Sequence, residues 1–163
     1  LYSSAASDVY KRQTITQNNK VMYKVSLAIP IYNVSLFVER ALLSALNQTY
    51  DNIEYLIVDD KGQDDSMDIV HRIIKDHPRG KDVRIIEHPH NIGTDATKNT
   101  AIDNAQGEYL FFMDSDDEII PTCIEILVHK MQEHPVDFIA ASHMKKDLSG
   151  KTYPTYTLSL IHI

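Results

Sequence analysis

Three carboxylates in four positions, Asp114, Asp116 and Asp117, follow the apolar run Tyr109-Leu110-Phe111-Phe112-Met113. Like charges repel, so such a cluster at the edge of a core needs something cationic or hydrogen-bonding to gather it. Mg²⁺ and Mn²⁺ suit the task, because they prefer oxygen ligands and take one or two carboxylates together with substrate phosphates. At the end of a strand, Asp114 and Asp116 stand two apart, a spacing that can point both side chains the same way unless the chain turns there and separates their roles. One carboxylate then binds the ion while the other meets a ribose hydroxyl or a metal-bound water. Asp116 is read as the metal ligand, and Asp117 as a cap on the following turn.

A second acidic pair, Asp59-Asp60, ends the apolar run Tyr55-Leu56-Ile57-Val58. Asp60 could accept an N–H from a nucleobase, and uracil offers one such donor between two carbonyls. Asp59, nearer the strand, is expected to tie down the local backbone. Lys98, one helical turn beyond Thr94 and Asp95, could project toward a diphosphate, with a solvated lysine as the alternative. His88 and His90 flank Pro89 with no third ligand nearby, so they are read as a loop ahead of a helix. His71, His77, His129 and His134 fall within or at the ends of predicted helices. Asn91-Ile92-Gly93-Thr94 has neither the dinucleotide nor the Walker spacing, and no Gly-x-Ser-x-Gly elbow occurs.

The elements that must position these residues alternate. Lys24–Ile31 is nearly continuous in apolar residues, as a strand covered on both faces should be, with Pro30 near its end. Val34–Gln48 carries Phe37, Val38, Ala41, Leu42, Ala45 and Leu46 at helical spacing, with Asn33 or Ser35 as the expected cap. Ile53–Val58 is a second strand, and a helix starting at Asp65 or Ser66 is stopped by Pro78 and Gly80. Val83–Glu87 is a third strand, Ile92–Ala105 a helix of modest amphipathicity, and Tyr109–Met113 a fourth strand. Pro121 suits the first turn of a helix burying Ile124, Leu127, Val128 and Met131, closed by Pro135. Val136–Ala141 is a fifth strand, after which Gly150 and Pro154 mark loops. Repeated strand–helix alternation predicts an α/β fold, a parallel sheet with helices on both faces and right-handed crossovers. Ligands of such sheets bind beyond the carboxyl ends of the strands, where the clusters at 30–33, 59–64 and 114–117 all fall.

The chain has 163 residues, enough for one domain with a real core. Sixteen Lys plus Arg against 23 Asp plus Glu give a net charge of -7, which argues against nucleic acid as a partner. Cys123 is the single cysteine, so no intrachain disulfide forms, and its expected seat is a buried helix position. No run of 18 apolar residues spans a membrane, although peripheral association stays open. Residues 1–20 are mostly polar and resemble translated adaptor sequence over 1–13, so they are expected to be a disordered or non-native leader. The apolar stretch ending at Ile163 suggests a chain cut short, exposing apolar surface around residues 158–163.

Four ordered motifs carry a family resemblance: Ala28-Ile29-Pro30-Ile31-Tyr32-Asn33, Ala45-Leu46-Asn47-Gln48-Thr49-Tyr50, Tyr55 through Asp60, and Gly107 through Asp117. Together they resemble the family 2 glycosyltransferases of GT-A fold, from about Val25 to Ala141. The resemblance implies a Rossmann-like nucleotide-sugar-binding part over 21–163, and transfer from a nucleotide diphosphate donor to a hydroxyl acceptor with inversion. The donor is expected to be a UDP-sugar, the acceptor a glycan or lipid-linked sugar, and the setting polysaccharide synthesis in the cytoplasm at the inner membrane face. By the same resemblance, Pro30 and Tyr32 line the base pocket and Asp60 bonds the base. Asp114 approaches the ribose, Asp116 holds Mn²⁺ or Mg²⁺, and Lys98 lies near the pyrophosphate where the family often has Arg. Asn99 matches, whereas Thr97 replaces a small residue.

Two departures matter. Lys61 and Gly62 stand where the family has Gly and Ser, so Lys61 either forces a different turn or brings its charge toward the donor phosphates. The general base that would deprotonate the acceptor is expected beyond Ile163, since Asp137 is badly placed in the fifth strand and Asp147 is not a candidate. The fragment would then bind donor without supporting transfer. Competing readings are a noncatalytic nucleotide-sugar-binding module and a receiver-like phosphoacceptor domain. The latter needs an Asp pair after the first strand, where this chain has Tyr32-Asn33.

Overall fold

A computed structural model describes residues 22–134, 136–140, 143–146, 151–155 and 159–161. The leader at 1–20, Pro135, Asp147, Gly150 and the predicted exposed stretch from Leu158 fall wholly or partly outside them. The order is β1 (Val25–Ile31), α1 (Val38–Leu46), β2 (Ile53–Asp59), α2 (Ser66–Asp76), a 3-10 turn (Pro78–Asp82), β3 (Val83–Glu87), α3 (Thr94–Asn104), β4 (Tyr109–Phe112) and α4 (Cys123–Glu133). Four short strands follow: β5 (Phe138–Ala140), β6 (His143–Lys146), β7 (Thr152–Thr155) and β8 (Ser159–Ile161).

β1 to β4 form one parallel sheet in the order β3-β2-β1-β4. Alternate residues of β1 serve opposite faces. Val25, Leu27, Ile29 and Ile31 pack with α1, α2 and α4, whereas Ala28 joins Leu56, Val58 and Ala101 of α3 on the other side. The α/β architecture with helices on both faces is therefore as the sequence implies. Small Ala28 and Ala101 let α3 approach the sheet closely. In α1, buried Val38, Ala41, Leu42, Ala45 and Leu46 recur at i, i+3, i+4, i+7 and i+8, and full burial of each larger side chain contributes about 1.5–3 kcal/mol. Pro30 lies past the last β4 partner, because β4 pairs only with Val25 to Ala28, so its missing N–H interrupts nothing there.

Three expectations are corrected. α1 begins at Val38 with Phe37 in the capping position and no side-chain cap, so neither Asn33 nor Ser35 fills that role. Asn33 Oδ1 instead accepts from Gln63 N at 2.7 Å, and Ser35 N donates to Asp64 at 2.8 Å. Both residues stitch two loops together rather than start a helix. The fifth strand is present, but β5 pairs antiparallel with β8 and not with the parallel sheet. Pro154 lies in β7, opposite Met144 of β6. In a two-stranded ribbon every strand is an edge, where proline's lost donor is tolerated. Among the described residues, no helix is long and apolar enough to cross a membrane.

Candidate functional site

The chain leaves β1 for β2 and β3, then returns across the sheet to place β4 on β1's other side. This reversal opens a crevice at the carboxyl ends of β1 and β4, where ligands of open α/β sheets settle. A cavity of about 380 Å³ occupies it, lined among others by Pro30, Tyr32, Asp60, Thr97, Asp114 and Asp116. Five of the six predicted site residues thus share one wall system. The sixth, Lys98, reaches it indirectly: its Nζ stands 4.0 Å from Asp114 Oδ1 and 6.0 Å from the Phe112 ring centre.

The acidic loop is anchored on both sides. Met113 N donates to Ala28 O at 3.0 Å, and Asp117 N closes a turn on Asp114 O at 3.1 Å. Ser115 is buried, whereas Asp114 and Asp116 are exposed on either side of it; the chain turns here instead of continuing as a strand, so the turn and not strand alternation sets where the two carboxylates face. Beyond the loop, Ser44 Oγ accepts from Ile119 N at 3.1 Å. Buried Gln48 donates from Nε2 to Ile120 O at 2.8 Å and accepts from Ile124 N at 3.0 Å. The C-terminal end of α1 therefore fixes the path from the acidic loop into α4.

Asp60 sits at the opposite wall and is only 3% exposed. Its Oδ1 accepts from His88 Nδ1 at 2.8 Å and Ile92 N at 2.9 Å, while Oδ2 accepts from Gly93 N at 3.0 Å. Gly93, at φ 90, is the N-cap of α3 and has no side chain to cap with, so Asp60 supplies the cap from another loop. Burial by itself pushes the Asp60 carboxyl up, but the bonds from His88, Ile92 and Gly93 outweigh it and hold it below its ordinary value. His88 lies in the loop ahead of a helix, as read, but it is also buried and bridges Asp60 to Thr100, whose Oγ1 lies 2.9 Å from its Nε2. Sequence neighbours give no sign of it, because Asp60 lies 28 positions from His88 and Thr100 lies 12.

The loop after β2 answers the question posed by Lys61. Its backbone adopts φ 55, and its Nζ reaches Asp59 Oδ2 at 3.2 Å and Glu87 Oε2 at 2.6 Å. The charge points to the β2–β3 edge rather than toward the crevice, and the lysine takes a left-handed backbone conformation that glycine adopts more easily. Asp59 also accepts from Lys61 N at 2.8 Å, in the backbone-tying role expected of it. Asp64, which the sequence places in the polar cluster at 59–64 without a role of its own, accepts from Ser66 and from Ser35 N and so joins this loop to the one after β1. Partial burial raises its carboxyl, but bonds from the Ser66 hydroxyl and the two backbone amides prevail and lower it from 3.8 to about 2.

Among the described residues, no three His, Cys, Asp or Glu side chains gather as a metal cage. The donor set nevertheless suits a hard divalent cation, because Asp114 and Asp116 offer exposed carboxylate oxygens and leave further positions for phosphate and water. Asp116 would hold such an ion directly. Cys123 is half-buried, and burial pushes its thiol up, away from reactivity.

Residues 26–162 match the family model described as Glycosyl transferase family 2. An uncharacterized glycosyltransferase of Haemophilus influenzae is 33% identical over 135 residues, covering 83% of this chain and 53% of that protein. The Escherichia coli UDP-Glc:alpha-D-GlcNAc-diphosphoundecaprenol beta-1,3-glucosyltransferase WfaP is 37% identical over 129 residues, covering 77% and 49%. Among solved structures, S. aureus TarS in complex with UDP-GlcNAc superposes with a TM-score of 0.69 at 26% identity, covering 81% of this chain and 37% of that one. The chain thus spans about half the length of these two curated relatives, and a smaller part of others, down to 17%.

Proposed function

The chain belongs to glycosyl transferase family 2, and from that premise we propose that it forms the donor-binding part of an enzyme transferring sugar from a nucleotide diphosphate, with UDP the favoured carrier. The observation that carries this reading is the meeting of Pro30, Tyr32, Asp60, Asp114 and Asp116 on one crevice at the sheet's reversal point. The base rests against Pro30 and half-exposed Tyr32, with Asp60 accepting its N–H. Asp114 receives a ribose hydroxyl. Asp116 holds Mn²⁺ or Mg²⁺, which when bound supplies positive charge against the diphosphate. Lys98, already within reach of Asp114, adds a second cation on the same side. WfaP is named for UDP-Glc and the TarS complex for UDP-GlcNAc, which supports a UDP-sugar.

The transfer proceeds with inversion: an acceptor hydroxyl attacks the anomeric carbon as the bond to the diphosphate oxygen breaks, and the nucleoside diphosphate leaves with both electrons. No described residue is assigned as the base that takes the hydroxyl's proton. Residues 21–163 constitute the nucleotide-sugar-binding part. The acceptor in this reading is a lipid-linked glycan precursor, which the diphosphoundecaprenol substrate in the name of WfaP supports, and the proposed setting is surface-glycan synthesis at the cytoplasmic face of the membrane. Isothermal titration with UDP and GDP, each with and without Mn²⁺, tests the reading. UDP binding should strengthen with Mn²⁺ and fall about tenfold or more in Asp116→Ala, the scale of one charge-assisted contact. Binding indifferent to both ion and substitution would overturn it.

A further inference from the structure

His88 does not line the crevice, yet it is buried against the one residue there poised to read a base. A carboxylate offers about four acceptor positions. In Asp60 three are occupied from within the chain: His88 and Ile92 fill Oδ1, and Gly93 takes one position on Oδ2. A carboxylate can only accept, so Nδ1 of His88 must donate. One acceptor position on Oδ2 is left.

That count discriminates between bases. Uracil presents one N–H between two carbonyls and needs a single acceptor. Guanine presents adjacent N1–H and N2–H donors, which a carboxylate matches by using both oxygens at once. With Oδ1 saturated, the paired match is blocked and the single one is kept. We propose that His88 is a positioning residue that sets base specificity, locking Asp60 into a one-place acceptor that favours uridine over guanosine nucleotides. The proposal rests on the donor-binding reading above. His88 acts through Asp60 and touches no part of the ligand, while Thr100 fixes the imidazole from its far side.

Two amide substitutions separate this role from packing. The side-chain nitrogen of Asn falls near the place of Nδ1, and that of Gln near the place of Nε2. His88→Asn therefore keeps a donor to Asp60, and His88→Gln keeps only the contact to Thr100. Titration of UDP and GDP in the presence of Mn²⁺ should show the unaltered chain preferring UDP and His88→Asn retaining affinity and preference within about threefold. His88→Gln should weaken UDP about tenfold and narrow the UDP:GDP ratio. Equal behaviour of the two variants, or an unchanged ratio in His88→Gln, would overturn the assignment to His88 alone. An unaltered chain binding neither nucleotide would overturn the donor reading and this role with it. Should His88→Gln not fold, Thr100→Val removes the brace from the imidazole's other side, and a narrowed ratio supports the proposal whereas an unchanged one defeats it.

Discussion

Gln48 accepts a hydrogen bond from the backbone N–H of Ile124 at 3.0 Å, across 76 positions of sequence. Its Nε2 also donates to Ser44 O at 3.0 Å and Ile120 O at 2.8 Å, so one amide ties the end of α1 to the start of α4. Truncation to Gln48→Ala takes this partner from the Ile124 N–H and from the Ser44 and Ile120 carbonyls around a buried side chain. The expected loss is about 2–4 kcal/mol, and urea unfolding followed by far-UV circular dichroism measures it.

Lys61 combines a left-handed backbone with an ion pair, and two substitutions separate the effects. Both Lys61→Gly and Lys61→Ala remove the contacts to Asp59 and Glu87, but glycine alone adopts φ 55 without steric cost. Lys61→Gly should therefore be more stable than Lys61→Ala by about 1 kcal/mol. Equal unfolding midpoints would show that the turn carries no strain.

Gly62 supports the crevice from behind. A Cβ there would lie 2.8 Å from both the backbone N and Oδ1 of Asn33, which follows Tyr32 on the wall. The backbone atom cannot swing aside as a side chain can. Gly62→Ala should displace the Tyr32–Asn33 turn, cost about 1–3 kcal/mol, and weaken UDP binding more than a distant surface alanine does. Paired thermal melts and titrations test both halves of this expectation.

Asp64 predicts the direction of an acid response. Its carboxyl titrates at about 2 in the folded chain against an ordinary 3.8, so the unfolded chain binds the proton more readily. The stabilisation is fully present above pH 3.8 and disappears as pH falls toward 2. Asp64→Asn should remove this contribution, leaving a shallower loss of stability over that window. Denaturant midpoints measured between pH 4.5 and 2.5 provide the comparison.

Legibility in the sequence followed the range of the interaction. The bounds of β3 match residue for residue and those of β1, β2 and β4 nearly so; β1 and β2 are buried and almost continuously apolar, whereas β3, half-buried at the sheet's edge, shows itself only by Val83, Ile85 and Ile86. Asp114 and Asp116 both stay exposed, but in a turn past the end of β4, which strand spacing alone does not specify. The cap of α1 was misplaced because Asn33 and Ser35, both good capping types, found partners at Gln63 and Asp64 in another loop. His88 escaped notice for the same reason, since its meaning lies in Asp60 and Thr100 rather than in its neighbours. β5 displayed the right residues, but residue type does not choose between a parallel sheet and an antiparallel ribbon. Lys61's direction depended on Glu87, 26 positions away.

The reversal that puts β4 beside β1 has a consequence for assembly. Tyr32 is separated from Asp114 by three strands' worth of intervening chain, so half of the binding cleft exists only after the last of the four strands docks. Closing so long a loop is slow and must precede any reward from the contacts it makes. A nucleotide that grips both walls would thus clamp the two ends of this excursion together, and its presence should retard the undocking of β4 more than that of β3.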